Sequence, residues 1–306
     1  MNIENSYNIR NIGLSSWITK ICEKKNIFYL TTVQQAIIPV IIAGKDSILF
    51  SRTGTGKTLS FILPLIHIEY MCFSNCFIVI FIPTVELGVQ ICETYNYFGK
   101  NKKISAIFLN KSYKYKILNK EKKGCFISTL FSFNKKFSGL HRFTNYVSKI
   151  LVFDETDMLI KPENFVIIKK IILNVNPSQI NLLGVTITNI LSYISVFPYQ
   201  KCIFFFYEKI NSFSYFSEIK HEYIYCSPQL KFKFLVILLK SRERIKTQRG
   251  GKLSILIFSK NKNRSENLIR LLKNNKIFAV NLNHEMNEQQ RRYRKNFILH
   301  FTINSY

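Results

Sequence analysis

Residues 51–58 read SRTGTGKT, two glycines, a lysine and a threonine between two apolar runs. This spacing suits the holding of a polyphosphate. Gly54 and Gly56 let the backbone curl, so that N–H groups and the start of the next helix converge on one point. Lys57 can reach the β and γ oxygens of a nucleoside triphosphate, and Thr58 offers a hydroxyl to Mg²⁺. Arg52, Thr53 and Thr55 complete the loop, and Ser51 stands where the pattern normally opens with Gly or Ala. Such a loop needs a carboxylate to fix its metal. The run ILVFDETDML sets Asp154 and Glu155 at the end of an apolar strand. Asp154 would hold Mg²⁺ through water, and Glu155 would orient or deprotonate the attacking water. An acidic pair at a strand end also serves as a helix N-cap. Beside a phosphate loop, the catalytic reading is the one taken here.

Both groups need a rigid frame. The apolar runs SILFS, FIVIFI, AIFL, CFIST, ILVFDE and INLLGVT read as buried strands. Stretches of helical length, such as GKTLSFILPLIHIEYM and VELGVQICETYNYFGK, lie between them. Strand and helix in alternation predict an α/β fold, a parallel sheet with helices on both faces. This first domain is expected over 1–207, with a linker over 208–220 containing NSFSYFSEIK. Alternation resumes over 221–306. HEYIYCS, LSILIFSKN and IFAVNLN read there as strands, PQLKFKFLVILLKSRERI as a helix opened by Ser227 and Pro228, and TQRGGK as a loop. Three strands make this second domain short for a doubly wound unit.

The chain has 306 residues, 47% hydrophobic and 20% charged, so a folded protein is expected rather than a disordered one. No apolar run approaches the ~18 residues that span a bilayer, and no membrane partner is expected. The N-terminus carries no secretory h-region. Seven cysteines show no paired zinc spacing, which fits a reducing intracellular compartment. His67, His141, His221, His284 and His300 show no ligand spacing either. The net charge of +26 points to a phosphate polymer as partner. A residue usage rich in Lys, Asn, Ile, Phe and Tyr, as AT-rich codons give, accounts for part of that excess. The same bias would suit a reduced genome, such as the relict nucleus of an endosymbiont (a nucleomorph).

SRTGTGKT and DETD together resemble motifs I and II of the DEAD-box RNA helicases. Other segments agree in order and spacing over about 9–297. GLSSWITKICEKKNIFYLTTVQQAIIP resembles the Q motif, which is specific to that family. Gln34 there falls on the adenine-reading glutamine, and Thr31 on the threonine that braces the phosphate loop. PTVELG resembles motif Ia, LLGVT sits where the motif III sequence SAT belongs, and LSILIFSKNKNRSENLIRLL resembles motif IV. The resemblance implies two RecA-like domains, the second partial, with ATP and Mg²⁺ between them and RNA across both. Pro83, Thr84, Glu86 and Thr129 would contact RNA, and Asp157 and Thr186 would couple turnover to movement. The GLSSW and ETYNYFGK segments resemble a branch acting in small-ribosomal-subunit assembly, which implies a nuclear or nucleolar setting.

The pattern breaks in places. Val85 stands where motif Ia has an arginine, Asn110 and Lys111 replace a glycine pair, and motif Ib appears as TLFS. Gly184 takes the place of the motif III serine, and Ile9 that of the upstream Q-motif aromatic. Motifs V and VI would fall beyond Tyr306. Without their arginine fingers the chain is expected to hydrolyse ATP poorly, unless a protein partner completes the second domain. KSYKYKILNKEKK interleaves tyrosine with lysine as single-strand binders do, though a solvated helix face is the favoured reading. KSRERIKTQRGGK reads as a charged loop. The first expectation is thus an ATP-dependent RNA helicase. The alternative is an ATP-binding, RNA-binding scaffold subunit with little hydrolysis.

Overall fold

A computed structural model describes residues 8–72, 75–109, 124–137, 146–185, 202–207, 222–249, 255–283, 285–286, 290–291 and 293–294. Thr186, Asn110, Lys111, the KSYKYKILNKEKK segment and the expected linker lie outside the described residues. The chain divides into two compact units, Met1–Tyr215 and Phe216–Tyr306.

The first unit is built on a seven-stranded sheet. Its strands are β1 (Asp46–Ser51), β2 (Cys76–Phe81), β3 (Ala106–Leu109), β4 (Cys125–Ser128), β5 (Ser148–Asp154), β6 (Gln179–Gly184) and β7 (Cys202–Tyr207). They lie in the order β3-β4-β2-β5-β6-β1-β7, and all pairs are parallel. The expected parallel α/β sheet is therefore present. β7 is an addition to the six expected strands, although its run CIFFFY carries the same apolar, aromatic signal.

Successive strand residues point to opposite faces, and the two faces feed different cores. Leu49, Ile78, Ile80, Ile127, Ile150, Val152 and Leu183 join one cluster. It is covered by α1 (Ser16–Lys24), α2 (Thr32–Ile42), α3 (Lys57–Met71) and α4 (Val85–Gly99). Ile48, Phe50, Val79, Phe81, Phe126, Leu151, Phe153 and Leu182 join the other. That cluster is closed by α5 (Leu130–Phe137), α6 (Thr156–Leu159) and α7 (Phe165–Val175). Its centre is aromatic: Phe81 lies 5.2 Å from Phe133 and 4.9 Å from Phe153 between ring centroids. Strands apolar on both sides could settle only between two helical layers.

The N-terminal segment is tied down upstream of the phosphate loop. Ile9 is fully buried, and its N–H donates to the Phe28 carbonyl at 3.1 Å. Ser15, the N-cap of α1, approaches α3 through His67, with its N–H 3.2 Å and its Oγ 2.9 Å from Nδ1.

In the second unit, helices span Lys231–Arg249 and Lys262–Asn274. Val236, Leu239, Leu268 and Leu272 form a small core between them. Two expectations are corrected here. The KSRERIKTQRGGK stretch and the start of TQRGGK are helical up to Arg249 rather than loop, because no helix breaker intervenes before Gly250. The described residues of HEYIYCS, LSILIFSKN and IFAVNLN carry no strand. Apolar composition alone does not make a strand; a ladder needs a neighbour. Among the described residues, no helix is long and apolar enough to cross a membrane.

Candidate active site

Because every strand is parallel, all strand C-termini share one edge, the edge where open α/β sheets bind ligands. The sheet register sets three of those ends side by side: Phe50 of β1 pairs with Gly184 of β6, and Leu183 of β6 pairs with Asp154 of β5. The glycine loop springs from β1 and the acidic turn from β5, so β6 lies between them.

The loop needs its glycines. Gly54 adopts φ +81° and Gly56 φ +88°, the left-handed region that side chains avoid. Gly54 faces open space, whereas a Cβ at Gly56 would meet Gln34 Nε2 at 2.5 Å and Thr31 Oγ1 at 3.1 Å. Gly56 also caps α3, so Lys57 is the first helical residue and the helix N-terminus opens at the loop. Thr55 Oγ1 donates to the Arg52 carbonyl at 2.8 Å and lies 3.0 Å from Ser51 Oγ. The Ser51 side chain, 1% exposed, is therefore spent on the loop itself.

Thr31 and Gln34 form a capping box at the start of α2: Gln34 N–H donates to Thr31 Oγ1 at 3.3 Å, and Thr31 N–H to Gln34 Oε1 at 3.0 Å. The same two side chains brace the loop. Thr31 Oγ1 donates to the Thr55 carbonyl at 2.8 Å, and Gln34 Nε2 to the Gly56 carbonyl at 3.2 Å. The glutamine amide keeps a second N–H and a second oxygen lone pair, enough for one purine edge.

Lys57 is buried, and its Nζ donates to the carbonyls of Ser51 at 2.8 Å and Gly184 at 3.2 Å. Three ammonium protons leave one unused. Asp154 is 4% exposed. Burial pushes its carboxyl up to about 7, and the charge of Glu155 adds to the rise; the Glu155 N–H, donated to Oδ1 at 3.1 Å, and Lys57 oppose it. A buried carboxyl so poised is a ready ligand, since a cation ionises it. Glu155 sits at φ +53°, strained for a glutamate, and starts α6. Thr156 Oγ1 donates to the Leu183 carbonyl at 2.5 Å, and the Val185 N–H donates to Asp157 Oδ1 at 3.4 Å. Thr58 is half-buried, one residue into α3. An open glycine cradle, a buried lysine and a carboxyl held near neutrality fit a nucleotide polyphosphate and its divalent ion.

The residues expected to contact RNA lie on the same edge. Pro83 follows β2, and Thr84 caps α4, its Oγ1 accepting from the Leu87 N–H at 3.3 Å. Glu86 stands in the first turn of α4. Thr129 follows β4 and accepts from the Ser132 N–H at 3.3 Å. Sequence reasoning missed three contributors: the Gly184 carbonyl, the Val185 N–H and the Thr156 hydroxyl. Two are backbone groups, which no residue type announces. For the third, the departure at Gly184 was the visible signal.

A parallel sheet with a glycine loop after β1 and paired acids after β5 defines an α/β protein of the P-loop nucleotide-binding class. Residues 31–193 match the family model for the DEAD/DEAH box helicases, and the chain belongs to that family. It is 28% identical over 300 residues to the ATP-dependent RNA helicase DBP8 of Saccharomyces cerevisiae, covering 92% of this chain and 67% of the relative. Over 88 residues it is 38% identical to the ATP-dependent rRNA helicase RRP3 of Encephalitozoon cuniculi, covering 29% of this chain and 22% of the relative. The fold is shared with Saccharomyces cerevisiae Dbp5 bound to RNA and ADP BeF3, with a TM-score of 0.75 at 19% identity, over 95% of this chain and 73% of that one.

Proposed function

We propose that this chain is an ATP-dependent RNA helicase of the DEAD-box type, acting on ribosomal RNA in a nuclear or nucleolar setting. The observation that carries the reading is the meeting of Lys57, Asp154 and the end of β6 at one sheet edge, with Thr84 and Thr129 on that edge. The ribosomal branch is supported by the relatives, one of which is named an rRNA helicase.

In this reading the backbone N–H groups of the loop and the α3 N-terminus hold the phosphates, with Gln34 at the adenine. Lys57 leaves the carbonyls of Ser51 and Gly184 for the phosphate oxygens. Mg²⁺, held by Thr58 and, through water, by Asp154, would neutralise charge on the phosphates. Glu155 orients the attacking water and accepts its proton. Pro83, Thr84, Glu86 and Thr129 contact the RNA backbone, which gives affinity without sequence readout. Asp157 and Thr186 pass the change to the RNA edge. Domain limits at 1–207, 208–220 and 221–306 suit this scheme, with a protein partner on the second domain.

Phosphate release from ATP, measured with and without RNA, tests the proposal. RNA should stimulate release, and Lys57→Ala should abolish it together with nucleotide binding. Nucleotide binding with no response to RNA would replace the helicase with an ATP-binding, RNA-binding scaffold. Undiminished binding by Lys57→Ala would refute the phosphate loop itself.

A further inference from the structure

Three consecutive residues at the end of β6 are wired to the site. The Leu183 carbonyl accepts from Thr156 Oγ1, the Gly184 carbonyl from Lys57 Nζ, and the Val185 N–H donates to Asp157. The middle residue has no side chain. A Cβ there would stand 2.9 Å from Thr156 Oγ1, closer than real Cβ atoms approach, while Asp157 Oδ1 at 3.3 Å and Phe50 Cε1 at 3.5 Å come next. Thr156 cannot simply turn away. It is fully buried, and rotating its hydroxyl would break the 2.5 Å bond to Leu183.

We infer that Thr156 and Gly184 form a reciprocal pair, in which the threonine hydroxyl fills the space a side chain at 184 would need and ties the acidic turn to β6. Both residues depart from the motif spellings DEAD and SAT, and they depart together: a hydroxyl is gained at 156 and lost at 184. The tether falls one residue after Glu155, whose left-handed backbone must be held against its own preference. Thr156 is thus a positioning residue. It touches no reacting atom, but it fixes where the two carboxylates stand relative to Lys57. Phosphate binding belongs to the loop, so loss of the tether acts on turnover and not on ATP affinity.

The inference rests on the helicase reading for its kinetic arm alone. Five proteins test it: the unaltered chain, Thr156→Ala, Gly184→Ser, the double variant and Thr156→Ser. Melting temperatures without nucleotide form a double-mutant cycle that needs no activity. Each of Thr156→Ala and Gly184→Ser should lower the melting temperature. The double variant should recover most of the loss, because removal of Oγ1 clears the space and the hydroxyl introduced by Gly184→Ser comes within reach of Asp157 Oδ1. In RNA-stimulated turnover, Thr156→Ala should lower kcat about tenfold with KM for ATP within about twofold, a split that marks an interaction absent from ground-state binding. Thr156→Ser should keep kcat near that of the unaltered chain. Additive losses of melting temperature in the double variant overturn the pair. Destabilised single variants with unchanged kcat overturn the positioning role. If the unaltered chain shows no RNA-stimulated turnover, the helicase reading fails, and the melting cycle alone decides the pair.

Discussion

Gln34 Nε2 donates to the carbonyl of Gly56 at 3.2 Å, across 22 positions of sequence, so a residue in the first turn of α2 also shapes the cradle that starts α3. The bond exists because Gly56 has no Cβ; one would stand 2.5 Å from that same nitrogen. Replacing Gln34 by alanine removes half of the capping box and this brace at once. The cap is worth about 1 kcal/mol, so a melting experiment should register a modest loss. Titration with a fluorescent ATP analogue should show affinity weakened roughly tenfold, the equivalent of about one lost hydrogen bond. Unweakened affinity would separate Gln34 from the nucleotide.

Asp154 gives a prediction with an unusual sign. Its folded carboxyl is pushed up from 3.8 to about 7, chiefly by burial. The folded state therefore holds a proton that the unfolded state releases, and ionisation works against folding. The penalty is absent below about pH 4, grows as pH rises through the interval, and is fully present above about 7. A shift of this size corresponds to at most about 4 kcal/mol. Asp154→Asn, neutral at every pH, should abolish ATP turnover and still melt higher than the unaltered chain at pH 8 in EDTA. At pH 5 the advantage should fall to less than half of its pH 8 value, and it should vanish only towards pH 4. Equal melting temperatures at pH 8 would remove the buried charge from the account.

How much of this was legible in the letters depends on which atoms do the work. Lys57 and Asp154 stand out in the letters because each motif is local and its chemistry lies in side chains. The six strands first read were continuous apolar runs, as parallel strands buried on both faces must be. β7 has the same character but stands where the first domain gives way to a stretch with no clear period, so nothing marked it as the sheet's edge. Tyr223, Tyr225 and Phe258 show the converse. They sit in runs that read as strands, yet they are 96%, 101% and 89% exposed and belong to no ladder. The Lys57–Gly184 bond spans 127 positions and ends on a carbonyl, and only the fold could reveal it.

His67 sets a second pH dependence of opposite sign. Its Nδ1 faces the Ser15 N–H, so that nitrogen carries no proton in the folded chain. Burial lowers the imidazole below its ordinary 6.5. The unfolded chain takes up the proton first as pH falls, so this stabilisation is present above about 6.5 and lost beneath it. His67→Asn offers an oxygen near the place of Nδ1 and does not titrate. Between pH 7 and 5.5 the difference in melting temperature between the unaltered chain and the variant should move against the former. The Asp154 contribution is common to both proteins and cancels in that difference. A constant difference would show that the Ser15 contact carries no proton linkage.

Gly99 supplies a change that should harm stability and spare the site. It ends α4, and the Ile104 N–H returns to its carbonyl at 3.1 Å, closing a tight turn through Lys103 at φ +57°. A Cβ at Gly99 would collide with the Ile104 carbonyl oxygen. That obstacle is backbone and cannot rotate aside, and the Ile104 side chain, 9% exposed, is anchored in the core under α4. Relief requires the chain to part between α4 and β3, so Gly99→Ala should cost about 1–3 kcal/mol. Gly99 stands at the far end of α4 from Thr84, and the phosphate loop borders other elements. At a temperature where the variant remains folded, its KM for ATP should equal that of the unaltered chain, while its urea midpoint falls. A raised KM with an unchanged midpoint would mean that the turn after α4 serves the nucleotide rather than the core.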